Sequence, residues 1–415
     1  HVAASTRGGQ RNLFSPGGIP DVPAGWSTHR PQLVELPDGR RVVDTAFTRL
    51  TGRSPILLAG MTPTTVDPAI VAAAANGGHW AELAGGGQVT EAIFAENLAK
   101  LTELLEPGRQ VQFNSLFLDP YLWKLQLGST RLVQKARAAG APLDGVIVTA
   151  GIPELEDAVE LIDELADAGF PYVAFKPGTV EQIRSVIRIA AEAPHFPVIV
   201  HVEGGRAGGH HSWEDLDDLL LSTYAELRAR DNVIVCVGGG IGTPERASAY
   251  LTGAWSVEHG YPAMPLDGIL VGTAAMATLE ATTAPEVKQL LVDTPGHPEW
   301  IGAGHASGGM ASGRSQLGAD IHEIDNAAST AGRLLDEVAG DADAVAARRD
   351  EVIAAIAGTA KPYFGDVATM TYRQWLQRYL DLSVDFRAAE ANWTDVTWED
   401  RFVSMIERAQ ARLHP

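Results

Sequence analysis

The chain has 415 residues, 45% of them hydrophobic and 20% charged, and a single cysteine, Cys236. One cysteine excludes an intrachain disulfide and fits a reducing, cytoplasmic setting, and a chain of this length can bury its core without one. Its 32 basic against 52 acidic residues give a formal charge of −20, which excludes the basic surface that nucleic acid or an anionic membrane needs.

No secretory signal and no apolar run of about eighteen residues is present. The chain opens on His1 rather than Met, so it reads as a processed chain or an internal piece of a longer one. Residues 1–52 read as an irregular N-terminal segment. LFSPGGIPDVPAGW breaks helical periodicity around Phe14 and Trp26, and ELPDGRRVV predicts a hairpin turning at Asp38-Gly39.

From 53 to 284 short apolar runs alternate with amphipathic stretches. The candidate strands are PILLA (from Pro55), HWAEL (His79), QVQFN (Gln110–Asn114), GVIVT (Gly145), YVAFK (Tyr172), PVIVHV (Pro197), NVIVCV (Asn232) and GILVG (Gly268). Continuous apolar runs suit parallel strands covered on both faces. Asp67-Pro68 and Thr243-Pro244 each place an N-cap before a proline, Ser212 with Asp215 resembles a capping box, and helices end near Gly77, Gly140 and Gly169. Eight βα units over roughly 225 residues predict an α/β fold, a (β/α)8 TIM barrel. An open doubly wound sheet is the runner-up. Residues 285–415 read as a mainly helical extension packing on the barrel. Gly304–Ser315 is a Gly/Ser-rich loop there, helices are expected near 320–340, 342–358, 370–382 and 398–412, and Trp375, Trp393 and Trp398 suggest packing.

Function in such a barrel sits at the C-terminal ends of the strands. The sixth candidate strand ends in HVEGGRAGGHHS, whose glycines let backbone approach a ligand and whose two histidines can donate a proton. A metal set of His201, Glu203, His210 and His211 is not expected, because the spacing matches no standard zinc pattern. The seventh strand ends in Gly238-Gly239-Gly240-Ile241-Gly242 and the eighth in Gly272-Thr273, the two places where TIM barrels often bind phosphate. Met61 and Thr62 follow the first strand, Asn114 the third, Thr149 the fourth and Lys176 the fifth. Together they describe a polar mouth able to read a ring edge and offset an anion. Cys236 lies in an apolar strand and reads as inert core.

AGGH (Ala207–His210), the Gly-rich seventh strand end and Gly272-Thr273 resemble the flavin-dependent barrels that include nitronate monooxygenases. AGMTPTTV, QFNSLF, GGRAGGHHS and LTGAW, and beyond them SGRSQLGADIHEIDN and KPYFGD, resemble the enoyl-reductase region of type I fatty acid synthases of the fungal and actinobacterial kind. The resemblance implies bound FMN, NADPH as reductant, and a trans-2-enoyl thioester on acyl carrier protein as substrate, within a homo-oligomeric megasynthase. It implies His210 as proton donor, with His211 the open alternative, and Lys176 beside the flavin. Met61, Thr62, Asn114 and Thr149 would line the ring. Ala207, Gly208, Gly239, Gly240, Gly272 and Thr273 would hold its tail. Arg206 and Arg314 are candidate anchors for the NADPH phosphate. A nitronate monooxygenase-like oxidase and a non-catalytic scaffold barrel remain the alternatives.

Overall fold

Strands that are apolar on both faces need cover on both, and closing a parallel sheet on itself inside a ring of helices supplies it. The computed structural model describes residues 21–296, 301, 302, 304–314, 320–359, 369–371, 373, 374 and 377. Strands β1 (Gln32–Glu35) and β2 (Arg41–Asp44) form the hairpin expected around Asp38-Gly39, with Gly39 at φ +81°. The strands that follow in chain order are β3 (Ile56–Leu58), β4 (Trp80–Ala84), β5 (Val111–Leu116), β6 (Leu143–Thr149), β7 (Val173–Phe175), β8 (Val198–Glu203), the two-residue β9 (Gly209–His210), β10 (Val233–Gly238) and β11 (Gly268–Val271). All but β9 make a closed parallel barrel in the order β10-β11-β3-β4-β5-β6-β7-β8, sealed where β10 pairs with β8. All eight strands expected from the sequence are present, and the open-sheet alternative is excluded.

Side chains alternate between the barrel interior and the helix layer at a spacing of two. Leu57, Trp80, Ile147, Tyr172, Ala174, Ile199, Ile234, Cys236 and Leu270 fill the interior, with Phe47 of the helix Ala46–Thr51 joining them. The surrounding helices each bury one stripe. Leu155–Asp167 buries Ala158, Leu161, Ile162 and Leu165, the i, i+3, i+4, i+7 pattern of an amphipathic helix. Arg53 closes the N-terminal end of the barrel with polar bonds. Its guanidinium reaches Asp144 at 2.7 Å and the Tyr172 hydroxyl at 2.9 Å, while Gln112 donates to Asp144 at 2.6 Å. Trp26 of the N-terminal segment packs edge-on against Tyr224, 4.8 Å between ring centres; Phe14 lies outside the described residues.

The caps at Asp67 and Thr243 form as expected. The one read at Ser212 does not. Asp215 caps the helix Leu216–Arg228, and the Ser212 hydroxyl instead donates to the Gly178 carbonyl.

The larger correction concerns Gly304–Ser315. In place of a loop the chain forms β12 (Ala306–Ser307) and β13 (Met310–Arg314), turning at Gly308 and Gly309, which have φ +60° and +79°. Strand β14 (Asp320–Ile324) pairs antiparallel with β13 and, on its other edge, with β9. Ala, Ser and Gly carry almost no hydrophobic alternation, so this sheet is silent in the sequence. The compact unit that holds the barrel therefore runs to Ile324, and a second begins at Asp325. The second contains the helices Ala327–Val338, Ala342–Ala347 and Arg349–Thr359; of the helix expected near 320–340, the first residues are instead strand β14 and the helix begins at Ala327. The stretch near 398–412, most of 370–382, KPYFGD, and Trp375, Trp393 and Trp398 lie outside the described residues.

Candidate active site

At the C-terminal end of the barrel the inward positions turn polar. Glu82 follows Trp80 on β4 and is fully buried. Its Oε2 accepts from the Gly60 N–H and from Asn114 Nδ2, both at 2.7 Å, and its Oε1 accepts from Trp80 Nε1 at 3.2 Å. Lys176, two residues beyond Ala174 at the end of β7, places Nζ 3.6 Å from Glu82 Oε2. Burial pushes the Glu82 carboxyl up, but Lys176, His201 and these hydrogen bonds outweigh it and hold it below the usual carboxylate range. For Lys176 burial pulls the other way, and Glu82 and Glu203 together raise it. The result is a charged lysine in a low-dielectric floor, fixed by one carboxylate.

His201 and Glu203 complete the floor from β8. The His201 ring sits edge-on to Trp80, and Nδ1 lies 3.5 Å from Glu82 Oε1. Among the described residues neither ring nitrogen has a hydrogen-bond partner. Burial lowers its pKa to about 4, with Glu82 opposing and Lys176 assisting, so the ring is neutral. Glu203, one step nearer the mouth, is raised by burial and by Glu82 against the pull of Lys176. From the sequence His201 and Glu203 are weighed only as members of a metal set and Glu82 is missed, although their spacing of two from Ile199 and Trp80 marks them as inward-facing.

The loops above the floor touch one another in barrel order. A Cβ on Gly272 would meet Met61 Sδ at 3.7 Å, one on Gly60 would meet Asn114 at 2.7 Å, and one on Gly86 would overlap the Thr62 hydroxyl. Thr149 follows Ile147 at the inward spacing on β6. The Gly/His loop meets the two loops after β10 and β11. Gly239, at φ +108°, leaves only 2.8 Å between a Cβ and the Gly204 carbonyl, Gly240 rests on Arg206, and Gly208 lies directly against Thr273 Oγ1. Glycine is required at Gly239 for its φ, and at Gly208 an added Cβ would displace the Thr273 hydroxyl. Arg206 is held by Asp215 at 2.7 Å. Arg314 ends β13.

The two adjacent histidines part ways. His211 is buried, with Nδ1 on the Ser212 carbonyl at 2.6 Å and Nε2 3.4 Å from the Ser312 hydroxyl. It stacks on His322 of β14 at 3.7 Å between ring centres and 15° between planes. His210, in β9, is exposed, and partial burial lowers its pKa from the usual histidine value. Cys236 is buried in the interior with its thiol pushed well up by burial. Among the described residues no three His, Cys, Asp or Glu side chains converge as a metal set, and no helix is long and apolar enough to cross a membrane.

A closed eight-stranded parallel barrel with a buried lysine–carboxylate floor and three glycine-rich loops at its mouth defines a TIM barrel. Residues 197–415 match the family model described as fatty acid synthase subunit beta/Fas1-like, helical, and the chain belongs to that family. It is 34% identical over 412 residues to the fatty acid synthase subunit beta of Saccharomyces cerevisiae, covering 95% of this chain and 20% of the yeast protein. It is 36% identical over 403 residues to the fatty acid synthase beta subunit aflB of Emericella nidulans, covering 92% of this chain and 19% of that protein. The chain thus spans about a fifth of the length of these relatives. In fold it is similar to the enoyl reductase domain of MlnA from the macrolactin biosynthesis cluster of Bacillus amyloliquefaciens, with a TM-score of 0.52 at 14% identity over 81% of this chain and 82% of that one.

Proposed function

We propose that this chain is an FMN- and NADPH-dependent enoyl-thioester reductase, one part of a longer fatty acid synthase. The observation that carries this reading is the juxtaposition, at one barrel mouth, of a charged buried lysine, an exposed histidine and three mutually packed glycine loops. Family membership supports the setting. The wider parts of the reading are acyl carrier protein as thioester carrier, neighbouring synthase domains, a homo-oligomeric assembly and a cytoplasmic location.

The residues present fit a flavin mononucleotide. At the corner of Gly204, Gly208 and Gly239 a Cβ on Gly204 would meet Leu216 at the start of its helix, one on Gly208 would meet Thr273 and one on Gly239 would meet Gly204, so backbone lines it, and the N–H groups of Gly208 and Gly239 suit a phosphate. Ala207, Gly208, Gly239, Gly240, Gly272 and Thr273 would hold the phosphate and tail, and Met61, Thr62, Asn114 and Thr149 the ring. When bound, FMN supplies hydride transfer from NADPH to the β-carbon of the enoyl thioester. Lys176 keeps a positive charge in the floor, where it offsets negative charge arising in the site. Glu82 fixes that lysine and orients Asn114. His210 delivers the proton that completes reduction at the α-carbon, and the lowered pKa makes its protonated form a stronger donor. His211, turned away into the β13–β14 sheet, takes no part in proton transfer.

The test is spectroscopic. The purified chain, reconstituted with FMN, is expected to be yellow, to bleach with NADPH without oxygen, and to recover colour with crotonyl thioester. His210→Ala is expected to keep the colour and the bleaching while enoyl reduction falls about 10²–10⁴-fold; His211→Ala is expected to keep most of the activity that survives folding. Recovery of colour with oxygen alone would favour the oxidase reading. A chain that takes up no FMN would leave only a scaffold.

A further inference from the structure

We infer that His322 is a positioning residue of this site. It acts by fixing the peptide between Ala207 and Gly208. The inference rests on the reading of the Gly/His loop as the place where an anionic ligand and the reacting substrate are held.

The argument begins with the loop. Gly204–Gly209 contains four glycines, and glycine loses more backbone freedom on ordering than any other residue. A segment this permissive places neither an N–H nor the following His210 unless something outside it restricts it. The β14 strand supplies that restriction twice. Its backbone pairs His322 with Gly209 and Ile321 with His210. Its His322 side chain, buried beneath the loop, points both ring nitrogens at carbonyl oxygens. Nδ1 lies 3.0 Å from Ala207 O, and Nε2 lies 2.8 Å from Ile301 O. A carbonyl oxygen only accepts and a neutral imidazole carries one N–H, so the tautomer with its hydrogen on Nδ1 donates to Ala207 O.

The consequence for the site follows from peptide geometry. The Ala207 carbonyl and the Gly208 N–H belong to one planar trans unit and point in opposite directions. Holding the carbonyl toward His322 therefore turns the Gly208 N–H away from the β14 sheet, at the residue that lies against Thr273. The same bond sets the start of β9 and hence the exit direction of His210. His211 stacks on the His322 ring and anchors to Ser312, which packs the imidazole from the loop side. Among the described residues the His322 side chain makes no hydrogen bond to the barrel floor, and its contact with the mouth is the one to Ala207, so its effect runs through the loop.

Two variants separate the bonds from the packing. His322→Phe keeps a flat ring against His211 and removes the ring N–H. His322→Gln returns one amide donor. The purified full chain is measured by peptide-resolved amide hydrogen exchange without added cofactor, and by steady-state reduction of crotonyl thioester after FMN loading. In His322→Phe, exchange across residues 204–212 is expected to quicken about tenfold or more while β7 and β8 stay as protected as in the parent. Its kcat is expected to fall about tenfold or more with KM for NADPH unchanged, since small misplacements of reacting groups carry penalties of that order. His322→Gln is expected to recover part of both. Parent-like exchange across 204–212 in His322→Phe overturns the inference. So does loss of protection that extends through β7 and β8 in both variants, which would make His322 a general fold residue. The exchange result needs no activity. A parent that reduces no enoyl thioester sinks the enzymatic reading, while the loop result still decides the role of His322.

Discussion

The buried imidazole of His201, without a hydrogen bond among the described residues, makes the stability of this barrel depend on pH in a way that can be calculated. In the folded chain its pKa is lowered to about 4, against 6.5 for the free side chain. Between those values the unfolded chain takes up a proton that the folded chain refuses, so the unfolded state gains and stability falls as pH drops. With 1.36 kcal/mol per pKa unit, the loss relative to neutral pH is about 2 kcal/mol at pH 5 and about 3 kcal/mol near pH 4. Between pH 7.5 and pH 5 Glu82 does not blur this window, because its carboxyl is held below the usual range, and the opposing effect of Glu203, whose pKa is raised by burial, is shared by parent and variant and cancels in their difference. His201→Gln removes the titration while keeping a polar side chain of similar reach. The assay is urea unfolding of parent and variant at pH 7.5 and pH 5. The parent is expected to lose about 2 kcal/mol more than the variant between the two conditions. Equal losses would mean that His201 is either protonated in the fold or not sealed from water, and the account of the floor would fall.

Two further perturbations separate the ends of the barrel. Lys176→Met leaves Glu82 buried without its cation; stripping one partner from a buried pair typically destabilises by about 3–5 kcal/mol, seen as a lower thermal midpoint, and the alkaline loss of stability that accompanies the raised lysine pKa is expected to vanish with it. Pairing it with Glu82→Gln is expected to recover part of the midpoint. A double variant no more stable than Lys176→Met would refute the coupling. At the opposite end Arg228 binds Asp267 at 2.6 Å with both side chains sealed from solvent. Arg228→Met is expected to lower the free energy of unfolding measured in urea by a similar amount, about 3–5 kcal/mol, while leaving FMN uptake and turnover of the folded fraction unchanged; loss of uptake at full folding would show that the two ends are coupled.

The barrel was legible because its strands are the least ambiguous kind. GVIVT, PVIVHV and NVIVCV are apolar on both faces, and the glycines and capped prolines between them mark the turns. Much of the mouth was legible for the same reason, since the end of each run could be read as a strand end. Glu82 was harder. In HWAEL a glutamate reads as an interruption of an apolar run, and its inward direction depends on closure of the barrel, which puts Trp80 inside. His201 and Glu203 have the same history, because alternation within VIVHVE gives two faces without saying which is which until Ile199 is seen against its neighbours in the interior.

The pair His210-His211 marks where local sequence stops being informative. Adjacent residues in extended backbone point to opposite sides, so one of the two had to face away from the mouth, and nothing in GGRAGGHHS says which. The answer comes from a strand far along the chain whose own signal is nearly absent. β14 can receive only one of the two rings, and the pairing of Gly209 with His322 sends His211 to that side. A one-residue slip in that pairing would exchange the two histidines. Which of the two histidines faces β14 is thus written in the register of β9 on β14, the same register that brings His322 within 3.0 Å of Ala207 O.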